Sequence, residues 1–239
     1  MLKSANYIVR AAGIVIITII DSCGLIFSLL FRKKKYNFYA HYRSWSKRVL
    51  CISGVSLDIC GREYLDRNES YIYITNHSSL YDIPIVFTAL DDNVRIMYKK
   101  ELEKVPIFGY GLKLSPFISV IRTEPREAMK SIENALEAIR ENVSVILFPE
   151  GTRSKDGKLA KFKRGAFMLA SRSGKRIVPV AIIGSNKIKE TGKWRFGNRN
   201  VKVTILEPVE ALTEHDKIAE ENQMALVWDK IHAAIEASQ

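Results

Sequence analysis

From Cys51 onward, short apolar runs bounded by polar residues alternate with segments of helical periodicity. Residues 55–60, 71–75, 94–98, 117–121, 144–148, 177–183 and 201–206 read as strands. Between and after them, residues 80–90, 125–141, 165–173 and 214–237 read as helices, the last with Thr213 as N-cap and Asp216 three residues on. This alternation predicts an α/β domain with helices against a largely buried sheet. Pro179 inside the sixth run places that strand at an edge or a sheet end. The Lys- and Gly-rich stretch 154–164 reads as a mobile loop.

The first fifty residues follow a different pattern. Residues 11–31 are strongly apolar, broken only by Thr18 and the group Asp21-Ser22-Cys23-Gly24, and Arg32-Lys33-Lys34-Lys35 follow at once. A cleaved signal peptide fits poorly, because the charges lie on the wrong side and no A-x-A site is evident. As one span, the run just crosses a bilayer and leaves the basic cluster on the cytoplasmic side. That puts Asp21 near the midplane, at a cost of roughly 2.5–3.5 kcal/mol. The preferred alternative is a hairpin of two short helices, 7–20 and 25–31, turning at 21–24 and dipping into one leaflet. A buried core helix is disfavoured by the basic flank. In the next segment Phe38, Tyr39, Tyr42, Trp45 and Val49 recur at helical spacing, with Arg43, Lys47 and Arg48 on other faces. It suits a helix in the headgroup layer or, equally well, an amphipathic helix packed on the domain. The chain thus divides into membrane-associated helices, 1–50, and an α/β domain, 51–239.

Composition narrows the partners. The 37 basic residues exceed the 26 acidic ones, giving a formal charge of +11, which favours anionic partners without choosing among them. Cys23, Cys51 and Cys60 are odd in number and lack metal-ligand spacing, so they read as reduced thiols. The four histidines, His41, His77, His215 and His232, never stand three or four apart, which excludes a zinc site of the H-E-x-x-H kind.

Candidate chemistry gathers where strands end, the usual ligand edge of α/β folds. Asn76-His77-Ser78-Ser79-Leu80-Tyr81-Asp82 follows the second strand. On one continuous helix His77 and Asp82 would lie about 140° apart, so they meet only if His77 is on the loop and Asp82 in the first turn of the helix. A carboxylate on one imidazole nitrogen fixes the tautomer and frees the other to take a proton from a hydroxyl. The same spacing makes Asp82 the N3 residue of a capping box on Ser79, with no chemistry at all. Ser78 and Ser79 lack the G-x-S-x-G setting of a nucleophile. Lys99, Leu102, Gly109 and Arg122 form a second group, whose two cations suit a phosphate clamp or a solvated surface. Phe148-Pro149-Glu150-Gly151-Thr152-Arg153-Ser154 closes the fifth strand as a compact polar loop, suited to phosphate and hydroxyl groups or to a turn with a local ion pair.

Together these segments resemble the glycerolipid acyltransferase superfamily, most closely its bacterial 1-acyl-sn-glycerol-3-phosphate acyltransferases. Asn76, His77 and Asp82 meet N-H-x4-D; Lys99, Leu102, Gly109 and Arg122 meet the second block. Residues 148–154 are identical to F-P-E-G-T-R-S, and Val178-Pro179-Val180 meets V-P-[VI]. The resemblance implies a mixed, mostly parallel sheet flanked by helices, with an N-terminal membrane-associated helical segment. It implies His77 as base with Asp82 as its partner, and Lys99, Arg122, Glu150, Gly151, Thr152 and Arg153 around the acceptor. The implied reaction moves an acyl group from acyl-CoA or acyl carrier protein to the sn-2 hydroxyl of lysophosphatidic acid, giving phosphatidic acid. No metal or cofactor beyond the thioester is implied. Membrane lipids are expected partners and nucleic acid is not; the implied place is the inner membrane, with the catalytic domain on its cytoplasmic face. Rival readings are another acceptor (lyso-ornithine lipid, lysophospholipid or glycerol 3-phosphate) and a non-catalytic basic binding module.

Overall fold

The structure, a computed structural model, describes residues 2–31, 37–121, 125–140, 143–154, 156–189, 199–212 and 216–238. Two helices lead, α1 (Leu2–Phe31) and α2 (Phe38–Ser53), followed by β1 (Ser56–Cys60), β2 (Ile72–Thr75) and α3 (Asp82–Ala89). Next come β3 (Val94–Lys99), α4 (Phe108–Leu114), β4 (Ile118–Val120), α5 (Pro125–Arg140) and β5 (Ser144–Leu147). The chain continues through α6 (Gly165–Ser173), β6 (Ile177–Ile183), β7 (Asn200–Ile205) and α7 (Lys217–Glu236). The seven strands of the sheet stand in the order β1-β7-β6-β2-β5-β3-β4. β6, β2, β5, β3 and β4 are mutually parallel, while β1 and β7, parallel to each other, oppose them. The sheet is therefore mixed and mostly parallel, as the resemblance implied.

Because side chains alternate across a strand, each central strand feeds two cores. Tyr73, Ile146, Val178, Val180 and Ile182 face α3, where they meet Ile85, Val86 and Phe87. Ile72, Ile74, Val145, Leu147, Ile177 and Ala181 face the other way, onto Ile132, Ala135, Phe167, Ala170, Val227 and Ile231 of α5, α6 and α7. Burial on both faces explains why these strands read as unbroken apolar runs. Five parallel strands leave their C-terminal ends on one edge, and the loops that carry the candidate chemistry leave from there.

Three expectations need correction. Pro179 is neither at an edge nor at a sheet end, since β6 lies between β7 and β2. Its carbonyl accepts from Leu206 at 2.9 Å, so its missing N–H faces β7 just past that strand's end at Ile205, where little pairing is lost. α7 starts later than expected and is capped by Asp216, whose carboxylate accepts from Ala219 N–H at 2.8 Å. Thr213 lies outside the described residues.

The hairpin in residues 7–31 is also absent, because α1 runs unbroken from Leu2 to Phe31. The polar group that suggested a turn is satisfied within or beside the helix. Thr18 and Ser22 hydroxyls donate to the carbonyls of Ile14 and Thr18, both at 2.7 Å. Asp21 pairs with Arg48 of α2 at 2.5 Å, and Trp45 donates to Thr18 at 3.1 Å. Arg10 reaches the Ile52 carbonyl at 3.0 Å, so α1 is docked along α2 over much of its length. Its other side exposes Ile8, Val9, Val15, Ile16, Ile19, Ile20, Phe27 and Phe31.

α4 was not anticipated. Its Gly109 lies against the preceding 3-10 turn so closely that a Cβ would stand 2.4 Å from the Glu103 carbonyl oxygen and 2.6 Å from that of Leu102. The glycine of the second sequence block is thus a packing requirement, with no ligand needed to account for it.

Candidate active site

Asn76 ends the second strand by exchanging two hydrogen bonds with β6. Its amide donates to the Ile182 carbonyl and its carbonyl accepts from Ile182 N–H, both at 2.8 Å. The side chain takes the place of a peptide unit, so the backbone is free to leave the sheet at His77. His77 Nδ1 then lies 2.7 Å from Asp82 Oδ2, on the first residue of α3. Asp82 is 0% exposed and the His77 side chain 18% exposed, so the pair is dry on one side and reachable on the other. The His77 ring rests against Phe148 with centroids 4.3 Å apart, which limits its rotation.

The same Asp82 oxygen also accepts from Ser78 N–H at 2.7 Å and Ser79 N–H at 2.8 Å. The capping box and the imidazole contact were alternatives in the sequence; here the imidazole contact is made, and the same oxygen ties down the loop before α3 instead of capping it. Ser79 is not the N-cap, since α3 begins at Asp82, and its hydroxyl accepts from Tyr81 N–H at 3.2 Å instead. Asp82 Oδ1 is buried and meets no donor among the described residues. Across the edge, the hydroxyls of Ser78 and Ser185 share a hydrogen bond at 2.9 Å.

Glu150, one strand over, closes the other half. It is 5% exposed, and its Oε1 accepts from His77 N–H at 2.6 Å while Oε2 accepts from Ala160 N–H at 3.0 Å. Ser154 N–H returns a bond to the His77 carbonyl at 2.8 Å. Gly151 has φ 75°, a conformation that favours glycine. Thr152 and Arg153 are exposed on the same loop. Lys99 stands at the end of β3, beyond β5 from His77, with its side chain 58% exposed and its ammonium 3.4 Å from the Glu101 carboxylate. Arg122 lies outside the described residues. The structure thus joins His77, Asp82 and Glu150 directly, sets Gly151, Thr152 and Arg153 on the adjoining turn, and leaves Lys99 on the same edge.

Sequence reasoning missed the supports of this loop. The described part of 154–164 is tied by Ala160 N–H, by Lys163 N–H to the Pro149 carbonyl at 2.9 Å, and by burial of Phe162. α7 holds it from outside. Trp228 Nε1 donates to the Ala160 carbonyl at 3.0 Å, and Glu220 pairs with Arg164 at 2.6 Å. Phe162, an apolar residue among lysines, was the available sign that the loop turns inward; the α7 contacts left no local sign.

Burial raises the Glu150 carboxyl above its ordinary 4.5, against the opposing pull of the His77 and Ala160 N–H groups. A folded-state pKa above the unfolded one means stability that is full below the unfolded pKa and is lost as pH rises through the folded pKa. Glu150→Gln does not titrate. In urea unfolding, its stability relative to the wild type should therefore rise as pH is raised through and above the ordinary carboxyl range. A difference that is flat, or moves toward the wild type, would contradict this.

Residues 56–183 match the acyltransferase family model, just over half of the chain. Over 207 residues the chain is 30% identical to a chloroplastic 1-acyl-sn-glycerol-3-phosphate acyltransferase of Brassica napus, covering 84% of this chain and 59% of that one. It therefore spans less than two thirds of that relative's length. Over 203 residues it is 34% identical to the 1-acyl-sn-glycerol-3-phosphate acyltransferase of Limnanthes douglasii, covering 82% and 70%. The fold is that of the crystal structure of a 1-acyl-sn-glycerophosphate acyltransferase from Thermotoga maritima, with TM-score 0.80 at 23% identity over 99% of this chain and 94% of that one. The His77–Asp82 pair and Glu150 lie inside the stretch that the family model matches, and with that match over more than half of its length the chain belongs to the acyltransferase family.

Proposed function

We propose that the chain transfers a fatty acyl group from acyl-CoA or acyl carrier protein to the sn-2 hydroxyl of 1-acyl-sn-glycerol 3-phosphate, giving phosphatidic acid. The observation that carries this reading is the 2.7 Å contact between His77 Nδ1 and the buried Asp82 carboxylate. With Nδ1 engaged, Nε2 is the nitrogen that faces a substrate. It takes the proton from the sn-2 hydroxyl as that oxygen attacks the thioester carbonyl. The C–S bond breaks, an ester forms, and the imidazolium returns its proton to the departing thiolate. Asp82 stabilises the imidazolium in between. Neither an acyl-enzyme nor a cofactor beyond the thioester is required. Lys99, Arg122 and Arg153 serve the acceptor's phosphate, and Glu150 with Gly151 and Thr152 shapes the loop that brings Arg153 to it.

The membrane reading follows from α1. Residues 6–31 are long and apolar enough to cross a bilayer. Yet α1 is docked along α2 from Arg10 to Asp21, and its exposed apolar stripe faces away from the domain. A helix held along α2 at that length, with its apolar stripe on the opposite side, lies in one leaflet with the stripe down. The +11 charge favours an anionic surface such as a cytoplasmic leaflet. In this reading α1 and α2 are the membrane-associated part and the sheet domain is catalytic.

Two measurements test these statements. With a panel of lysolipid acceptors and both donor types, lysophosphatidate should be acylated, and His77→Ala should lower kcat by about 10²–10⁴-fold with the fold retained. A fully active His77→Ala protein, or acylation of another lysolipid with lysophosphatidate refused, overturns the assignment. For the membrane, a nitroxide on exposed Cys23, with Cys51 and Cys60 replaced by serine, should sit about 5–10 Å into the headgroup–acyl boundary. A label at the bilayer midplane would mean a true span.

A further inference from the structure

The loop after β5 carries a cation that neither the sequence motifs nor the reading above employs. A Cβ built on Gly151 would stand 2.8 Å from Lys163 Nζ and 2.9 Å from its Cε, so the Lys163 ammonium lies directly over Gly151. Gly151 neighbours Glu150, whose carboxylate is bonded to the His77 backbone. We propose that Lys163 is a substrate-binding residue whose ammonium binds the phosphate monoester of the acceptor and sets the preference for a phosphorylated lysolipid. The inference rests on the acceptor assignment made above and names a further residue for it.

The placement is built into the fold. Lys163 N–H bonds the Pro149 carbonyl, and its neighbour Phe162 is buried in the core beneath α6. One residue further, Arg164 is fixed by Glu220, and three residues back the Ala160 carbonyl is fixed by Trp228. The backbone on both sides of Lys163 is therefore held, and only the side chain must order when a ligand arrives. Arg164 is neutralised by its carboxylate partner, whereas no carboxylate pairs with the Lys163 ammonium among the described residues. Asp156 is the single acidic residue from 151 to 164, and its Oδ1 already accepts from the Ser154 hydroxyl and Lys158 N–H. An exposed lysine with three donors and no carboxylate partner among the described residues suits a phosphate dianion.

Gly151 acquires a second reason for its identity. Its positive φ disfavours any side chain, and a side chain there would also displace the ammonium from the turn. The chemistry of the acceptor fits this spacing. Its reacting hydroxyl and its phosphate ester sit on adjacent carbons, so the cations that read the phosphate belong to the loops gathered at the same sheet edge as the base. The phosphates of a CoA donor lie at the far end of a long pantetheine arm from the reacting thioester, whereas Lys163 stands over the turn whose Glu150 carboxylate binds the His77 N–H.

The test compares Lys163→Met and Lys163→Arg with the wild type on two acceptors, lysophosphatidate and the same lipid without its phosphate, 1-acylglycerol. Acyl-CoA is varied separately, and the thermal midpoint of each protein is recorded. Lys163→Met should lower kcat/KM for lysophosphatidate by roughly ten- to a hundred-fold. It should leave kcat/KM for 1-acylglycerol, KM for acyl-CoA and the thermal midpoint unchanged, while Lys163→Arg restores most of the loss. Equal losses on both acceptors would mean a structural role and overturn the inference. A loss confined to the KM for acyl-CoA would move the contact to the donor and overturn it as well. An unchanged Lys163→Met in an enzyme that uses lysophosphatidate overturns the inference alone. A wild type inert toward lysophosphatidate fails the acceptor assignment and takes the inference with it.

Discussion

Three N–H groups converge on a single carboxylate oxygen, Asp82 Oδ2: the His77 ring nitrogen and the backbone amides of Ser78 and Ser79, all between 2.7 and 2.8 Å. Hydrogen bonds to a charged group are worth about 1.5–3 kcal/mol each, and a donor left unmade in a dry site costs about as much. The corner between β2 and α3 is therefore fixed by one atom, and the orientation of the imidazole comes with it. The backbone amides also neutralise part of the charge that Asp82 brings into a fully buried position. What remains is available to the imidazolium that forms when His77 takes a proton.

The rest of the edge is organised around that corner. β6, β2 and β5 are neighbours in the sheet, and their C-terminal ends lead to Ser185, His77 and Glu150 respectively. Parallel pairing alone brings the three loops together, which is why ligands collect at this edge of α/β sheets. Glu150 then binds His77 and Ala160 through their backbones, so the Glu-Gly-Thr-Arg turn moves with the histidine. α7, outside the residues matched by the family model, secures the far side of that turn through Trp228 and Glu220.

Most of this plan could be read from the chain, and the exceptions have physical causes. The central strands β2, β5 and β6 were legible because burial on both sheet faces makes them compact apolar runs, and the outer strands β1, β3 and β7 because apolar and polar positions alternate along them. α4 was not, because Phe108–Leu114 is only seven residues long and carries two glycines and a single charge, Lys113, and its helix depends on close packing over the preceding turn. Asp21 suggested a turn in α1 because its partner, Arg48, lies in another helix, and composition cannot show a contact of that kind. The His77–Asp82 pair was visible as a spacing, yet the spacing could not reveal that the imidazole and two loop amides share one oxygen. Ala160 was invisible in principle, since it acts through its backbone and any residue but proline would serve. Lys163 looked like one more lysine in a basic loop, and only the three-dimensional path of that loop sets it over Gly151.

The account stands on the state of the His77 ring. Nitrogen-15 NMR of the detergent-solubilised protein with labelled histidine reads that state directly, without a substrate. With Asp82 accepting at Nδ1, the neutral ring should carry its proton on Nδ1 and present an unprotonated Nε2. A neutral His77 protonated on Nε2 would leave no base facing the acceptor hydroxyl and would contradict the mechanism at its first step.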